Sequence, residues 1–396
     1  MASERPGQPL HTYYLSAALA AADAVSAIGA AAHGAMADHA ATPADLAAAL
    51  GLDPDDAPEL HALVASRLAH HPVEDLRFDF EDGLGFVTDA EEDALTAAVA
   101  AAAAAAWSDG SLPGSWGLRI KPFGPGSRDR AVLTLDRFLT AIVEVAGAVP
   151  PGFVVTLPKV EHPGQPAALA EVVAALEDRL RAAPLRIEVM IESTGGLMTR
   201  DGRVQVRELA EAGGERCVAV HFGTYDYSTS CGIPPSEQHL RHPACDFARM
   251  AITNALAGTR FWRSDGSTNQ LPEGDRAAVH AAWRRHYDDV TNSLSQGYVQ
   301  GWDLHPAQLV TRYAAVLRFH LATWRDAAAR LAALVAAGGA TGGAHLDDPA
   351  TGASLLASVR RAVSCGAVDA ASAAALCGMS EADLTGTAPF WDVVGR

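Results

Sequence analysis

The chain has 396 residues, 49% of them hydrophobic, which is enough for one large α/β barrel with an extension or for two average domains. Its 47 acidic and 30 basic residues give a formal net charge of −17, which argues against a nucleic-acid partner and an anionic membrane surface. Five cysteines without a Cys-x-x-Cys pair fit reduced thiols in the cytoplasm better than a disulfide framework. The first ten residues are polar, so we expect no secretory signal.

Eight short β-like runs follow one another along the chain, most of them separated by a stretch that suits a helix. The intervals of roughly 30 to 45 residues are typical of parallel strands joined by helical crossovers. Eight such units predict a TIM (β/α)₈ barrel, whose functional groups lie at the C-terminal ends of the strands. The predicted strands are His11–Ser16, Asp75–Phe80, Leu118–Phe123, Phe153–Val160, Ile187–Glu192, Cys217–Phe222, Arg260–Ser264 and Gly301–Leu304.

Two regions lie outside this repeat. The long interval after the first strand contains Thr42-Pro-Ala-Asp45, an N-cap followed by Pro at the first helical position, and predicts an inserted helical pair. After the eighth strand, residues 314–337 predict one long amphipathic helix, the Gly-rich run 338–343 ends it, and residues 353–385 predict two or three short helices. The predicted domains are a barrel at 1–313, with its helical insertion at about 36–71, and a helical C-terminal extension at 314–396.

Two carboxylates lie at the ends of apolar strands, about one βα unit apart. Glu192 ends the run Arg186-Ile-Glu-Val-Met-Ile-Glu-Ser193, and Asp226 follows the run that begins at Cys217. Neighbouring parallel strands bring such acids to the same end of a barrel, where they can hold a hard divalent cation. The structural alternatives are a capping or salt-bridging acid for Glu192 and a turn residue after Gly223 for Asp226. We favour the metal-ligand role for both, since each follows an apolar strand.

Charged groups end most of the other predicted strands as well. One polar group at one strand end means little, whereas charges at six of eight strand ends are what a barrel active site requires. These strand ends are Asp79-Phe-Glu-Asp-Gly83, Arg119-Ile-Lys121, Pro158-Lys159-Val-Glu161, Glu192, Asp226 and Asp303-Leu-His305.

The acids after the second strand have structural alternatives to a catalytic role. Side chains alternate along a strand, so we expect Asp79 and Glu81 on one face and Asp82 on the other, with at least one of them orienting Arg119 or Lys121. For the arginine itself, a salt bridge at the rim of the barrel is the rival interpretation.

Lys159 has two equally favoured interpretations, a contact to substrate and an ion pair with Glu161. A Schiff-base role is less favoured because a metal pair makes it redundant. His305 is more typical of a structural histidine than of a base, and the loop Gly124–Ser127 is a weak phosphate-binding signal.

The motifs taken together resemble the citrate lyase β-subunit and HpcH/HpaI aldolase superfamily. Each motif alone is weak, but six in order at barrel spacing, from about His11 to Gln308, are a strong signal. The resemblance implies a phosphoenolpyruvate- and pyruvate-binding TIM barrel, with Mg²⁺ or Mn²⁺ held by Glu192 and Asp226. The motifs are Asp-x-Glu-Asp-Gly, Arg-Ile-Lys, Pro-Lys-Val-Glu, Ile-Glu-Ser, Phe-Gly-Thr-Tyr-Asp and His-Pro-Ala-Gln.

The implied chemistry proceeds through an enolate. Its developing oxyanion needs preorganised positive charge, which a metal ion chelated by the substrate supplies. An arginine at position 119 adds a planar donor fork that cannot lose its proton. The candidate catalytic residues are Arg119, Glu81 and Asp82, and the candidate substrate-binding residues are Arg119, Lys121, Lys159, Gly223 and Thr224.

Two departures from the citrate lyase pattern leave the substrate open. Lys121 stands where those relatives usually have Asn, and Gly223-Thr-Tyr-Asp-Tyr227 also resembles the Gly-Arg-Trp-Asp-Tyr stretch of malate synthases. The first hypothesis is therefore a divalent-metal-dependent carbon–carbon lyase or aldolase acting on a 2-oxo acid or a hydroxyacyl-CoA thioester. The second is a malate-synthase-like Claisen condensation of an acyl-CoA with an oxo acid, and the third is a non-catalytic barrel that binds a metabolite.

The resemblance also implies partners. We expect a small anionic substrate, with coenzyme A as part of a possible thioester, and a homo-oligomer that is a trimer or hexamer. Relatives of this kind close a neighbour's site with their tails, and Asp347-Asp348 are the candidates here for such a contact.

Overall fold

A computed structural model describes residues 7–337 and 348–394. The strands are β1 (His11–Ser16), β2 (Asp75–Asp79), β3 (Ser115–Arg119), β4 (Phe153–Leu157), β5 (Arg186–Ile191), β6 (Cys217–Phe222), β7 (Trp262–Ser267) and β8 (Gln300–Asp303). The helices are α1 (Ala24–His39), α2 (Pro43–Leu50), α3 (Ala57–His70), α4 (Asp89–Ser108), α5 (Arg128–Ala146), α6 (Gly164–Leu180), α7 (Thr194–Leu197), α8 (Val206–Ala212), α9 (Thr224–Ser230), α10 (Pro243–Leu256), α11 (Arg276–Ser295), α12 (Gln308–Leu321), α13 (Trp324–Ala336), α14 (Pro349–Ser364), α15 (Ala370–Cys377), α16 (Glu381–Thr385) and α17 (Phe390–Val394).

The eight strands form a closed parallel barrel in chain order. Each strand pairs with the next, and β8 returns to pair with β1, for example at Trp302 opposite Thr12. Helical segments follow the strands, as parallel connections require. The predicted TIM barrel is confirmed.

The strand positions agree best for β1 and β6, whose bounds match the sequence prediction. The third strand was predicted too late, since it ends at Arg119. Its start is fixed by Trp116, whose ring packs against Phe138 and Phe153. Pro122 lies beyond it and has no amide hydrogen to offer a neighbouring strand. Lys121 therefore follows the strand and does not belong to it.

The helix starts follow local capping chemistry. Thr42 and Asp45 form a capping box at α2, with Pro43 at its first position, and Thr88 and Glu91 form another at α4. The predicted inserted helical pair is present as α2 and α3. None of the described helices combines the length and the hydropathy needed to cross a bilayer.

The described residues form two compact units. The barrel unit comprises the described part of Met1–Ala41 with Leu68–Arg312, and the helical unit comprises Thr42–Arg67 with the described part of Tyr313–Arg396. The helical unit has its own apolar core, built from side chains that include Trp324, Leu331, Val359, Cys377 and Phe390. The predicted boundary between a catalytic barrel domain at 1–313 and a C-terminal extension at 314–396 stays a prediction.

The prediction of one helix over residues 314–337 is wrong, because α12 and α13 are separate helices. At the break, the Thr323 amide donates to the carbonyl of His320, three residues back, and the Thr323 hydroxyl donates to the carbonyl of Phe319. Threonine competes in this way with the regular helical ladder. The Gly-rich run 338–343 and Asp347 lie outside the described residues, while Asp348 caps α14.

The barrel interior contains a buried charged layer. Arg77 on β2 forms ion pairs with Asp75 and, at 3.0 Å, with Glu188 on β5, and its Nε donates to the Thr156 hydroxyl at 3.0 Å. His221 on β6 lies 3.2 Å from the same glutamate. Burial opposes the charge of Glu188, but Arg77 and His221 outweigh it and hold its pKa below the usual range.

Candidate active site

Arg119 is fixed at the mouth of the barrel by the neighbouring strand. It ends β3 opposite Asp79, which ends β2. The arginine Nε donates to Asp79 Oδ1 at 2.7 Å and its Nη2 donates to Oδ2, so the pair is bidentate. The Tyr14 ring lies against the guanidinium, 4.9 Å from Cζ to the ring centroid. Burial opposes the charge of Arg119, but the carboxylate of Asp79 outweighs it and raises its pKa.

Asp79 is itself held in place by backbone donors. Its two carboxylate oxygens accept hydrogen bonds from the amides of Glu81 at 2.9 Å and Gly83 at 2.8 Å. A β-carbon at Gly83 would lie 2.4 Å from Asp79 Oδ2, so this turn can close on the carboxylate only with glycine. The turn therefore orients Asp79, and Asp79 orients Arg119.

Lys159 connects the ends of several strands. Its ammonium contacts the carboxylates of Glu81, of Asp82 at 3.1 Å and of Asp226 at 2.8 Å. Its backbone amide donates to Glu192 Oε2 at 2.9 Å. One residue after β4 thus contacts acids that follow β2, β5 and β6.

Glu192 and Asp226 both lie at the C-terminal mouth, after β5 and in the first turn of α9. Glu192 is 3% exposed, whereas the Asp226 side chain is 43% exposed. Burial raises the pKa of Glu192, although Lys159 and Arg119 oppose that shift, and the negative charge of Asp226 adds to it. Both carboxylates contact Lys159, Glu192 through the backbone amide and Asp226 through the ammonium, so they lie in one cluster.

The turn after β6 is shaped around Glu192. Gly223 donates its amide to the carbonyl of Ile191 at 3.0 Å. A β-carbon at Gly223 would lie 2.4 Å from Cγ and Oε1 of Glu192, so the glutamate occupies the space that a side chain would need. Thr224 follows with a buried hydroxyl, which has no hydrogen-bond partner among the described residues.

The two acids after β2 have opposite pKa shifts. Burial raises the pKa of Glu81 to about 7, although Arg119 and Lys159 oppose the shift. Burial also disfavours the charge of Asp82, but its hydrogen bonds and the nearby cations outweigh this and lower its pKa. Near neutral pH, one of the two acids is therefore poised to hold or release a proton while the other stays ionised.

The structure corrects the alternation argument for the second strand. The strand ends at Asp79, so strand alternation does not extend to Glu81 and Asp82. Both follow the turn instead, and both contact the ammonium of Lys159.

Three other predicted strand-end groups lie apart from the acids around Lys159, and they are Lys121, Glu161 and Asp303. Lys121 pairs with Glu92 of α4 and donates to the carbonyl of Phe80. Glu161 accepts a hydrogen bond from Ser193 instead of pairing with Lys159.

Asp303 is fully buried, where it pairs with Arg312, His11 and His286. Its neighbour Trp302 faces the barrel interior, so strand alternation directs Asp303 towards α11 and α12. Counting this aspartate among the active-site charges was wrong.

The floor of the site was not predicted from the sequence. Tyr14 on β1, Met190 on β5 and Trp302 on β8 pack together inside the barrel. The Trp302 indole donates to His221 Nδ1 at 2.9 Å, which places the proton of a neutral His221 on Nε2. The available signal for this floor was an aromatic residue at an inward-facing position of a strand. Such a residue usually belongs only to the core, so the signal is not specific.

The match to a known family covers nearly the whole sequence. Residues 2–390 match a family described as Domain of unknown function (DUF6986). The chain belongs to this family. Among proteins with curated descriptions, none matches it.

Solved structures show a similar fold over most of the chain. A citrate lyase from Burkholderia xenovorans LB400 aligns with a TM-score of 0.61 and 21% identity, covering 93% of this chain and 96% of that one. CitE from Mycobacterium tuberculosis, solved with magnesium, acetoacetate and coenzyme A, aligns with a TM-score of 0.52 and 16% identity, covering 89% and 97%. Haloferax volcanii malate synthase, as a lead(II) complex, aligns with a TM-score of 0.50 and 15% identity, covering 78% and 74%. The chain therefore shares its barrel fold with these citrate lyase and malate synthase structures.

Proposed function

We propose that the chain is a divalent-metal-dependent carbon–carbon lyase or aldolase that acts on a 2-oxo acid or a hydroxyacyl-CoA thioester through an enolate. The observation that carries the proposal is the position of Glu192 and Asp226 at one barrel mouth, where both contact Lys159. Arg119 lies 3.4 Å from Glu81 of the same cluster. Cleavage or formation of a C–C bond next to a carbonyl requires positive charge beside the developing oxyanion, and a divalent ion held at this mouth would supply it together with Arg119.

The carboxylates of the site fit a hard divalent cation. Oxygen ligands are the kind that Mg²⁺ and Mn²⁺ prefer. Five carboxylates lie in the cluster, whereas Arg119 and Lys159 are the cations that contact them among the described residues. We infer that Glu192 and Asp226 would hold the ion, although no group of three or more His, Cys, Asp or Glu side chains with metal-binding geometry occurs among the described residues. Two protein ligands leave positions for water and substrate.

The residues of the chain have separate roles in this proposal. A bound divalent ion would supply most of the charge that stabilises an enolate. Arg119, whose Nε and Nη2 are held by Asp79, would bind the substrate carboxylate or carbonyl through its remaining N–H groups, those of Nη1 above all. Glu81, whose pKa lies near neutrality, is suited to hold or accept a proton at the mouth.

The ligands of a similar structure support the substrate class. CitE was solved with magnesium, acetoacetate and coenzyme A, which are a metal, a small oxo acid and a thioester carrier. We extend to this chain only the classes of ligand, a divalent ion and an oxo acid or acyl-CoA. The cytoplasmic location and a trimeric or hexameric assembly stay predictions.

The second candidate is a malate-synthase-like condensation. It is favoured by Gly223-Thr-Tyr-Asp-Tyr227, which resembles the corresponding malate synthase stretch, and by the similar fold of the Haloferax volcanii enzyme. Both candidates use a metal and an enolate, so the direction of the reaction and the products separate them.

Product analysis tests the proposal. The full chain is incubated with Mg²⁺ or Mn²⁺ and a panel of 2-oxo acids and hydroxyacyl-CoA thioesters, and products are identified by mass spectrometry. A lyase yields smaller carbonyl products only when metal is present, and a synthase yields free coenzyme A from acetyl-CoA plus an oxo acid. If no member of the panel reacts in a metal-dependent way, the non-catalytic barrel becomes the better account.

A further inference from the structure

The chain contains very few lysines. Only two of its 30 basic residues are lysines, Lys121 and Lys159, and both follow strands at the mouth of the barrel. Arginine presents a planar fork, whereas lysine presents a compact, strongly hydrated point charge on a flexible four-carbon stem. In a sequence that otherwise prefers arginine, a lysine among carboxylates indicates a need for a small, spherical and movable cation.

The backbone of Lys159 is anchored while its side chain can move. Its φ of 53° lies in the left-handed region, which is uncommon for a residue with a side chain. The hydrogen bond from its amide to Glu192 holds this conformation. The side chain is about one third exposed, so solvent offers the ammonium another position. The backbone amide anchors Lys159 and the ammonium carries its charge, so the ammonium can move while the anchor stays in place.

The ammonium of Lys159 contacts one of the two carboxylates that would hold a metal ion. It contacts Asp226 Oδ2 at 2.8 Å, and it also contacts the carboxylates of Glu81 and Asp82. A divalent ion bound to that aspartate would be drawn to the same oxygens and would repel the ammonium. Contacts with three carboxylates favour the charged form of Lys159.

We propose that the Lys159 ammonium is the resident counter-ion of the carboxylate cluster and that a divalent cation displaces it on binding. The inference rests on the metal site of the proposed function. In the metal-free protein, the lysine keeps the acids of β2, β5 and β6 together, so the site is assembled before the ion arrives. On metal binding, the backbone anchor to Glu192 remains and the side chain turns away.

Lysine NMR tests this displacement directly. The full chain is produced with lysine labelled with carbon-13 at Cε, which gives two lysine signals, and the Lys159→Met variant assigns them. Titration with Mg²⁺ should shift the Lys159 signal, while the Lys121 signal stays as an internal control because its ammonium is bound by Glu92. An unmoved Lys159 signal at a Mg²⁺ concentration that calorimetry shows to be saturating would reject the proposal.

Metal affinity provides the second measurement. The Lys159→Met variant loses the competing charge, so calorimetry should show Mg²⁺ binding about tenfold tighter, and its metal-free melting temperature should fall because the acids lose their partner. Lys121→Met should leave the Mg²⁺ affinity unchanged. Weaker or equal binding by Lys159→Met overturns the inference. If that variant fails to fold without metal, Lys159→Gly removes the charge and relieves the left-handed backbone.

The two proposals can fail separately. Metal-dependent turnover by the wild type, together with equal Mg²⁺ affinities of wild type and Lys159→Met, would reject the displacement and retain the lyase. Displacement of the lysine by Mg²⁺ without turnover on any substrate would retain the inference and reject the lyase. A wild type that binds no Mg²⁺ would reject both.

Discussion

At the residue scale, we propose that separate groups bind the cation and the negative charge of the substrate. Glu192 is buried and accepts a hydrogen bond from a backbone amide, while Arg119 is fixed by the bidentate contact to Asp79. Arg119 does not depend on the carboxylates of Glu192 and Asp226 for its position. Substitution of either acid should therefore weaken metal binding, whereas substitution of Arg119 should lower turnover.

Replacing either proposed metal ligand should weaken metal binding. Glu192→Gln and Asp226→Asn keep the size of the side chain but remove the charge that attracts the ion. Calorimetry should show a loss of Mg²⁺ affinity of at least about tenfold for each variant. Glu211→Gln on α8, which pairs with Arg207 at the surface, is the matched control and should bind Mg²⁺ like the wild type. Normal binding by Glu192→Gln would exclude that residue as a ligand.

Changing the arginine should affect catalysis and spare the metal. Arg119→Lys keeps a positive charge at this position, so Mg²⁺ affinity should stay near the wild-type value. The variant does lose the bidentate contact to Asp79. The kcat/KM for metal-dependent oxaloacetate decarboxylation should fall by about 10²-fold or more, the scale of losing one oxyanion donor. Wild-type turnover by Arg119→Lys would remove Arg119 from the proposed mechanism.

At the element scale, the regular parts were predictable from sequence and the strand ends were not. The β-like runs and their spacing placed all eight strands in order, and burial on both faces gave the clearest pattern where the run is apolar, as in β6. Beyond a strand, that pattern stops, and turn geometry decides where a side chain points. For this reason Asp82 contacts Lys159 in the cluster, whereas Lys121 pairs with Glu92 of α4. The direction of Asp303 depends on partners from distant helices, which periodicity does not reveal.

The turn between β6 and α9 should control metal binding through Gly223. Its φ of −98° suits any residue, so Gly223→Ala creates no backbone strain, but the new β-carbon would overlap Glu192. Glu192 must move, so Mg²⁺ affinity should fall by about tenfold while the far-ultraviolet circular dichroism stays that of the wild type. Gly34→Ala on α1, where nothing lies within 4 Å of the new carbon, should bind Mg²⁺ normally. Tight Mg²⁺ binding by Gly223→Ala would contradict the role given to this turn.

The helical unit should lose stability in mild acid through His320 on α12. Both ring nitrogens are buried without a hydrogen-bond partner among the described residues, and burial, aided by Arg361, lowers its pKa from 6.5 to about 4. The unfolded chain takes up the proton near pH 6.5 and the folded chain only near pH 4, so stability is lost as the pH falls through that window. The loss should approach about 3 kcal/mol at the lower end.

Denaturant unfolding at pH 7 and pH 5 checks this expectation. His320→Phe should be at least as stable as the wild type at pH 7 and should lose less stability at pH 5. His33→Gln, an exposed histidine on α1, should keep the wild-type pH dependence. The same loss in His320→Phe as in the wild type would show that another group is responsible.

At the scale of the whole molecule, the charge and the assembly can be tested together. The net charge of −17 predicts no salt-sensitive DNA binding at physiological ionic strength. The superfamily resemblance predicts a trimer or hexamer, so light scattering after gel filtration should give three or six times the chain mass of 41.2 kDa. A monomer at micromolar concentration would contradict the predicted assembly without affecting the site.

The central claim is that this mouth stabilises an enolate with a divalent ion. The most direct measurement is exchange of the C3 protons of pyruvate in deuterated water, followed by proton NMR, for the wild type and Glu192→Gln. We predict loss of the methyl signal with Mg²⁺, no loss with excess chelator, and little loss with Glu192→Gln. Exchange at equal rates with Mg²⁺ and with chelator, or equal rates in the two proteins, would contradict the proposed site.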